Sequence, residues 1–268
     1  MRDLVTTADL AGELDAPDLV LLDASLAPPG QATDMRAAFE HQHIPGARFL
    51  DLAALKSVPD FAAAMEQLGV GSGERLIVYD HTPLRSATRG WWLLRSHGAR
   101  NVAVLDGGLA KWIAEGRSVE SGPARARDAS FAEHSQRDAR VTKSDILAGL
   151  GVPLVDARDS ARFAGQSSDP RPGIADGHIP GARNLPFASL YAADGTLKSP
   201  EELKRLFADA GIEPAAPFAA SCGSGVTACS LIFAAHLLGN DATKLYEGSW
   251  TEWGADPATP KELGRALL

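Results

Sequence analysis

The sequence has few cysteines and no long apolar run. Its 268 residues include two cysteines, Cys222 and Cys229, which argues against a disulfide framework and favours a reducing compartment. No stretch reaches the roughly 18 consecutive apolar residues of a membrane-spanning helix. The first residues, MRDLVTTADLAGEL, lack the charged and then apolar layout of a secretory signal. We therefore expect a cytoplasmic protein without a membrane partner.

A basic footprint for nucleic acid is also missing. Lys and Arg number 26 against 34 Asp and Glu, a net charge of −8, and the cations are scattered along the chain. An anionic small molecule would instead need a local cluster of arginines. The 45% hydrophobic and 22% charged composition is typical of a globular protein. At about 150 residues per domain, the length alone does not decide between one domain and two.

An internal repeat decides the domain question. The hexapeptide HIPGAR begins at His43 and again at His178, an offset of 135 residues. LLDAS faces LVDAR at an offset of 133, and LDGGLAKW faces YEGSWTEW at 141, so the order of the landmarks is kept. The sequence predicts two tandem copies of one domain. We place the boundary near Ser130, with a first domain and linker at 1–130 and a second domain at 131–268.

Each copy alternates short apolar runs with helical patterns. The runs predict buried strands at 19–22, 76–79, 102–105, 153–155, 217–221 and 244–246. Helices are predicted at 85–97, 201–210 and 227–238. This alternation indicates an α/β fold, with a parallel sheet flanked by helices in each domain. Ligands are then expected beyond the carboxyl ends of the strands.

One such strand end carries a cysteine. In PFAASCGSGVTACSLIFAAHLLG, a strand ends at Ser221, and a loop from Cys222 to Thr227 leads into an apolar helix. Gly223 and Gly225 allow successive amide N–H groups to converge on an anion, and the helix adds its positive N-terminal end. Such surroundings favour a thiolate and predict a nucleophile at Cys222. A buried small hydrophobe is the structural alternative.

Several cysteine chemistries are disfavoured by the spacing. A cysteine phosphatase would need an arginine six residues after Cys222, where this chain has Ala228. A thioredoxin-like pair would need Cys-x-x-Cys, whereas Cys229 lies two helical turns further on and is predicted to be core. A papain-like peptidase needs a histidine base, yet both HIPGA histidines are assigned to equivalent structural places by the repeat.

These residues resemble the tandem-domain rhodanese-like sulfurtransferases, most clearly those acting on 3-mercaptopyruvate. The resemblance covers nearly the whole chain and includes both HIPGAR segments, RGWWLLRSHGARNVAVLDGGLAKW, CGSGVTAC and YEGSWTEW. It implies a double displacement in which Cys222 takes sulfur from a donor, forms a persulfide and passes the sulfur to a thiol or cyanide. It implies no cofactor and no metal. In that family the first domain is silent, and Asp80 takes the place of Cys222 here.

The resemblance also implies how the donor binds. Thiosulfate-preferring members carry a cationic pair in the loop, as in CRKGVT, whereas this chain has Gly223 and Ser224. Two arginines of the RFxG…PRPG segment, which match Arg162 and Arg171, would hold the carboxylate of a small anionic donor. The alternative is that they form ion pairs with Asp159 and Asp169. The backbone N–H groups of the loop would contact the sulfur of the donor. They belong to Gly223, Gly225, Val226 and Thr227.

The resemblance also implies roles for Ser224, His43 and Asp34, which match a Ser, His and Asp group of the family. Together they would transfer the proton of the donor thiol. For His43 the alternative is a brace for the HIPGA turn, the role expected of His178. Asp156 and Arg158 are expected to serve the fold, since Asp23 matches Asp156 in the silent copy. The thiol acceptor implied is reduced thioredoxin or a low-molecular-weight thiol.

One departure affects the donor. A segment resembling SPxxHMLP, which in the family contributes to the entrance of the site, is largely missing after the first HIPGAR. A more open pocket and a thiosulfate sulfurtransferase therefore stay as alternatives. A persulfide carrier or binding module without turnover of a small donor is a separate alternative.

Overall fold

The computed structural model describes residues 2–56, 58–124, 128–134 and 139–264. The chain divides into two compact units: unit 1 comprises Met1–Gln136 with Ala193–Thr196, and unit 2 comprises Arg137–Ala192 with Leu197–Leu268. Unit 1 extends past the predicted boundary near Ser130, because the Phe131 N–H donates to Glu66 Oε1 at 3.0 Å and the His134 N–H donates to the His97 carbonyl at 3.0 Å. Within the described ranges, no helix combines the length and the apolar character needed to cross a bilayer.

Unit 1 is built around five short parallel strands. They are β1 (Leu4–Val5), β2 (Leu19–Asp23), β3 (Arg48–Phe49), β4 (Arg75–Tyr79) and β5 (Val102–Leu105). The helices are α1 (Thr7–Glu13), α2 (Met35–His41), α3 (Leu52–Leu55), α4 (Phe61–Gln67), α5 (Ala87–Ser96) and α6 (Gly108–Ala114). The sheet order is β1-β5-β4-β2-β3, so β4 is the central strand.

Unit 2 repeats this plan. Its strands are β6 (Arg140–Val141), β7 (Leu154–Asp156), β8 (Arg183–Asn184), β9 (Ala219–Ser221) and β10 (Lys244–Tyr246). Its helices are α7 (Lys143–Ala148), α8 (Ser160–Phe163), α9 (Pro200–Asp209), α10 (Ala228–Leu237) and α11 (Ser249–Ala255), with a 3₁₀ turn at Phe187–Leu190. The order β6-β10-β9-β7-β8 makes β9 the central strand.

The local sequence explains these elements. The central strands read as continuous small or apolar residues because a parallel sheet is covered by helices on both faces. The α10 helix is likewise apolar around its circumference, and eight of its residues are buried. At α9 the Ser199 hydroxyl accepts from the Glu202 N–H while the Glu202 side chain accepts from the Ser199 N–H, a capping box that fixes the first turn.

The predicted fold class is confirmed: each unit is a parallel sheet flanked by helices. The strands predicted at 102–105 and 244–246 have the observed bounds, whereas those predicted at 153–155 and 217–221 begin later, at Leu154 and Ala219. The two-residue edge strands were missed because they are too short to show any alternation of polar and apolar residues.

Candidate active site

Cys222 directly follows β9, at the carboxyl end of the central strand of unit 2. The residue is buried, and its backbone is held on both sides. Its N–H donates to Ser249 Oγ at 3.1 Å, and its carbonyl accepts from the Trp250 N–H at 3.0 Å. The start of α11 therefore fixes the position of the nucleophile predicted from the sequence.

The loop after Cys222 turns its carbonyls towards α10. The carbonyls of Val226 and Thr227 accept from the N–H groups of Cys229 and Ser230, each at 3.1 Å, and the Cys229 thiol donates to the Gly225 carbonyl at 3.5 Å. In a trans peptide the N–H points opposite to the carbonyl. The N–H groups in the same peptide bonds, those of Val226, Thr227 and Ala228, therefore point away from the body of α10 and towards the loop.

These amides are unpaired donors. Within the described part of the chain, no acceptor pairs with the N–H groups of the five residues from Ser224 to Ala228. Buried backbone donors are almost always paired in folded proteins, so a row of free ones indicates a site for an anion. Gly225 makes the loop shape achievable: its φ is +75°, and a Cβ there would lie 2.8 Å from the Glu247 carbonyl oxygen.

The matching loop of unit 1 contains its own anion. Asp80 follows the central strand β4, and one of its carboxylate oxygens accepts from the Ala87 N–H at 2.7 Å. Ala87 begins α5 as Ala228 begins α10. Burial raises the pKa of Asp80 to about 6. A carboxylate thus occupies in unit 1 the kind of amide site that is unpaired in unit 2.

Arg171 reaches the cysteine loop. Its Nη2 donates to Ser224 Oγ at 3.3 Å, while Nη1 donates to Asp169 Oδ1 at 2.9 Å. A Cβ on Gly223 would lie 3.3 Å from Nη1, so the guanidinium lies against the backbone of the loop. The structure thus brings together three of the residues predicted from the sequence: Arg171, Gly223 and Ser224.

Arg162 has a different partner. Its Nε donates to Asp159 Oδ2 at 2.5 Å, and the Asp159 side chain also caps α8 by accepting from the Arg162 N–H. The ion pairs considered as the alternative role for Arg162 and Arg171 therefore both form, and only that of Arg171 is accompanied by a described contact with the loop.

His43 and Asp34 both lie in unit 1 and have partners there. The His43 ring is buried, with Nδ1 2.7 Å from the Phe39 carbonyl oxygen and Nε2 3.2 Å from Glu120 Oε1. Asp34 is the exposed N-cap of α2 and accepts from the Ala37 N–H at 3.0 Å. Their role with the proton of the donor stays a prediction, as does that of Ser224.

Unit 2 contains a buried ion pair that packs against Trp250. Arg158 donates to both oxygens of Asp156, at 2.7 to 3.1 Å, and also to the Gly177 carbonyl at 2.8 Å. Its guanidinium lies 4.5 Å from the ring centroid of Trp250, which is itself buried. Since the Trp250 N–H donates to the Cys222 carbonyl, this cluster helps to hold the backbone of Cys222 in place.

Ser249 was not identified from the sequence, and Asp169 was considered there only as an ion-pair partner of Arg171. Ser249 holds the Cys222 N–H, and Asp169 holds Arg171. The repeat contains a signal for Ser249, because it faces Gly108 at an offset of 141, and both have positive φ, +49° and +58°. A serine kept in a strained backbone position where the other copy has glycine indicates a task for its side chain.

The comparisons with known proteins identify the family of both units. A family model for the rhodanese-like domain matches residues 6–115 and again 139–256. The 3-mercaptopyruvate sulfurtransferase of Escherichia coli (strain K12) is 39% identical over 269 residues, which cover 94% of this chain and 95% of the relative. The thiosulfate sulfurtransferase of Cricetulus griseus is 36% identical over 288 residues, covering 99% and 97%.

A solved structure is also similar over nearly the whole chain. The crystal structure of SseA from Escherichia coli is similar with a TM-score of 0.83 and 35% identity, covering 93% of this chain and 99% of that one. Family model, sequence relatives and structure therefore all span both units. The chain belongs to the rhodanese-like family and is a two-domain sulfurtransferase.

Proposed function

We propose that the protein transfers sulfur from 3-mercaptopyruvate to a thiol or cyanide through a persulfide on Cys222. The observation that carries this proposal is the row of unpaired amides beside Cys222. A persulfide places its negative charge on the outer sulfur, beyond the cysteine side chain. Fixed N–H donors stabilise such a charge without a metal or cofactor and without reorganising during the reaction.

In the first half-reaction, the Cys222 thiolate attacks the sulfur of the donor and an S–S bond forms. The carbon–sulfur bond of mercaptopyruvate breaks, and its electron pair goes to the methylene carbon. That carbon takes up a proton, equivalent to the one lost by the donor thiol, and pyruvate leaves. The cysteine now carries one additional sulfur and the negative charge.

In the second half-reaction, an acceptor attacks the outer sulfur. Cyanide leaves as thiocyanate, or a thiolate leaves as its persulfide, and the S–S bond to Cys222 breaks to restore the thiolate. The acceptor in the cell is proposed to be reduced thioredoxin or a low-molecular-weight thiol in the cytoplasm.

Donor recognition is proposed to depend on Arg171 and Arg162. An arginine fork matches a planar carboxylate, and Arg171 lies directly against the loop that would hold the donor sulfur. Ser224 is proposed as a hydrogen-bond partner of the donor. The names of the relatives at 38–39% identity, 3-mercaptopyruvate sulfurtransferases, support this donor over thiosulfate.

The donor preference is tested by steady-state kinetics with cyanide as acceptor. We expect kcat/KM for 3-mercaptopyruvate to exceed that for thiosulfate by at least about tenfold, a difference of ~1.4 kcal/mol in transition-state binding. A reversed preference would make the protein a thiosulfate sulfurtransferase. Persulfide formation without turnover of either donor would make it a carrier, and in both cases the donor assignment fails.

A further inference from the structure

Arg171 is held in place by a buried carboxylate. Both oxygens of Asp169 accept from Arg171 Nη1, at 2.9 and 3.3 Å, and Oδ1 also accepts from the Arg171 backbone N–H at 3.0 Å. The Asp169 side chain is only 2% exposed, against 24% for Arg171. We propose that Asp169 is a positioning residue for Arg171 which, through the close approach of that arginine to Gly223, contributes to the donor specificity of the enzyme. This inference rests on the proposed function.

Asp169 fixes the orientation of Arg171. A carboxylate that is nearly excluded from water has few alternative partners, so it fixes the guanidinium more firmly than an exposed partner would. The other terminal nitrogen of the guanidinium, Nη2, donates to Ser224 Oγ at 3.3 Å. Asp169 therefore aims one edge of Arg171 at the cysteine loop before any donor arrives, which reduces the ordering that binding requires.

Arg171 approaches Gly223 closely. A Cβ on Gly223 would lie 3.3 Å from Arg171 Nη1 and 3.5 Å from Nη2. Gly223 does not have a positive φ, so the absence of a side chain matters here for the close approach of Arg171 and not for backbone freedom. An unrestrained arginine could move away from a methyl group, but one held by Asp169 can move little. The two positions are therefore energetically coupled.

Asp169 neutralises much of the field of Arg171, so the guanidinium attracts a donor less by net charge than by directed hydrogen bonds. A planar carboxylate benefits from such a fork, whereas a compact dianion such as thiosulfate benefits more from an unpaired cation. Asp169 thereby favours a carboxylate-bearing donor over a dianionic one.

The test is a double-mutant cycle on Asp169→Asn and Gly223→Ala, measured as kcat and KM for both donors. We expect Asp169→Asn to raise KM for 3-mercaptopyruvate about tenfold with kcat within about twofold, and to lower the mercaptopyruvate-to-thiosulfate ratio of kcat/KM about tenfold. Asp169→Glu should restore part of the ratio. Gly223→Ala should raise the same KM about tenfold alone, but less than about threefold in the Asp169→Asn background.

Asp209→Asn is the matched control, because this exposed aspartate at the end of α9 loses the same charge away from the loop. Near-ultraviolet circular dichroism checks that each variant is folded. An unchanged donor ratio in folded Asp169→Asn, or additive effects of the two substitutions, would overturn the proposal. Wild-type protein that forms no persulfide would overturn the proposed function instead, so the two failures are distinguishable.

Discussion

His43 and His178 have the same surroundings in their two units. Each ring stacks on a phenylalanine, Phe39 or Phe163, with centroids 4.0 and 3.7 Å apart, and each Nδ1 contacts the carbonyl oxygen of that phenylalanine, at 2.7 and 2.8 Å. The backbone of each histidine pairs with a glutamate that follows the last helix of its unit, Glu120 or Glu262. This arrangement joins the HIPGA turn to the end of its own domain.

The shared surroundings predict a shared role. We expect His43→Asn and His178→Asn each to lower the free energy of unfolding, by about 1–3 kcal/mol, because a buried stacked ring and its hydrogen bond are lost. Turnover per folded molecule should change less than about threefold in both. Urea unfolding and steady-state kinetics check this. A loss of turnover in the His43 variant alone would support the predicted proton role of His43.

Gly225 is expected to be intolerant of any side chain. Gly225→Ala places a methyl group in a backbone with φ of +75° and 2.8 Å from the Glu247 carbonyl oxygen, so the loop must deform and its amides no longer converge. We expect turnover to fall by at least about 100-fold, the usual effect of removing oxyanion donors. Gly239→Ala is the matched control: its φ is +92°, but no atom lies within 4 Å of the added methyl group. Equal activity of the two variants would contradict this account of the loop.

Ser249 is expected to position Cys222 although its own backbone is strained. Ser249→Gly relieves a positive φ but removes the hydroxyl that accepts from the Cys222 N–H and donates to the Tyr246 carbonyl at 2.7 Å. We expect a stability change within about 1 kcal/mol, because strain relief and lost hydrogen bonds oppose each other. We expect kcat to fall about tenfold, since the nucleophile is less firmly held. Unchanged kcat in Ser249→Gly would show that the hydroxyl serves the fold alone.

The Asp80 loop of unit 1 is expected to make stability depend on pH. The pKa of Asp80 is about 6 in the fold, above its ordinary value near 3.9, because the carboxylate is buried. The folded state then binds more protons than the unfolded state between about pH 4 and 6, so ionisation of Asp80 lowers stability as pH rises through this window. The effect is complete above about pH 7.

Asp80→Asn isolates this contribution. The amide oxygen can still accept from the Ala87 N–H, but the buried charge is gone. The variant's unfolding free energy, relative to wild type, should therefore increase by up to about 3 kcal/mol between pH 4 and 7, from a shift of roughly two pKa units. Urea denaturation across that range measures it. A difference that stays constant with pH would contradict a raised pKa at Asp80.

The sequence predicted the fold because both of its signals are local or repeated. The continuous apolar runs of β2 and β5 and the helical spacing of α10 are visible in single segments, and the two HIPGAR copies align the units. The edge strands, such as Arg48–Phe49, have no such signal, since two residues show no periodicity. Their place in the sheet is set by pairing with a neighbour 20 or more residues away along the chain.

Part of the candidate site could be predicted from the sequence, because a reactive residue stands among glycines at the end of a strand. Cys222 among glycines at a strand end is recognisable, and so is its replacement by Asp80 in the other copy. The ion pair of Asp169 with Arg171 was considered from the sequence, because the two residues are close together in the chain. Two other contacts form only in the folded chain: Ser249 lies 27 residues beyond the amide it holds, and Ser224 lies 53 residues beyond Arg171. Composition and spacing do not indicate these long-range contacts.

The most direct test is mass spectrometry of the peptide that contains Cys222 after incubation with 3-mercaptopyruvate. We predict a gain of one sulfur, about 32 Da, which is removed by cyanide. The gain should be absent in Cys222→Ser and present in Cys229→Ser, whose side chain lies in the buried first turn of α10. A wild-type peptide with no added sulfur, or a gain that persists in Cys222→Ser, would contradict the central claim.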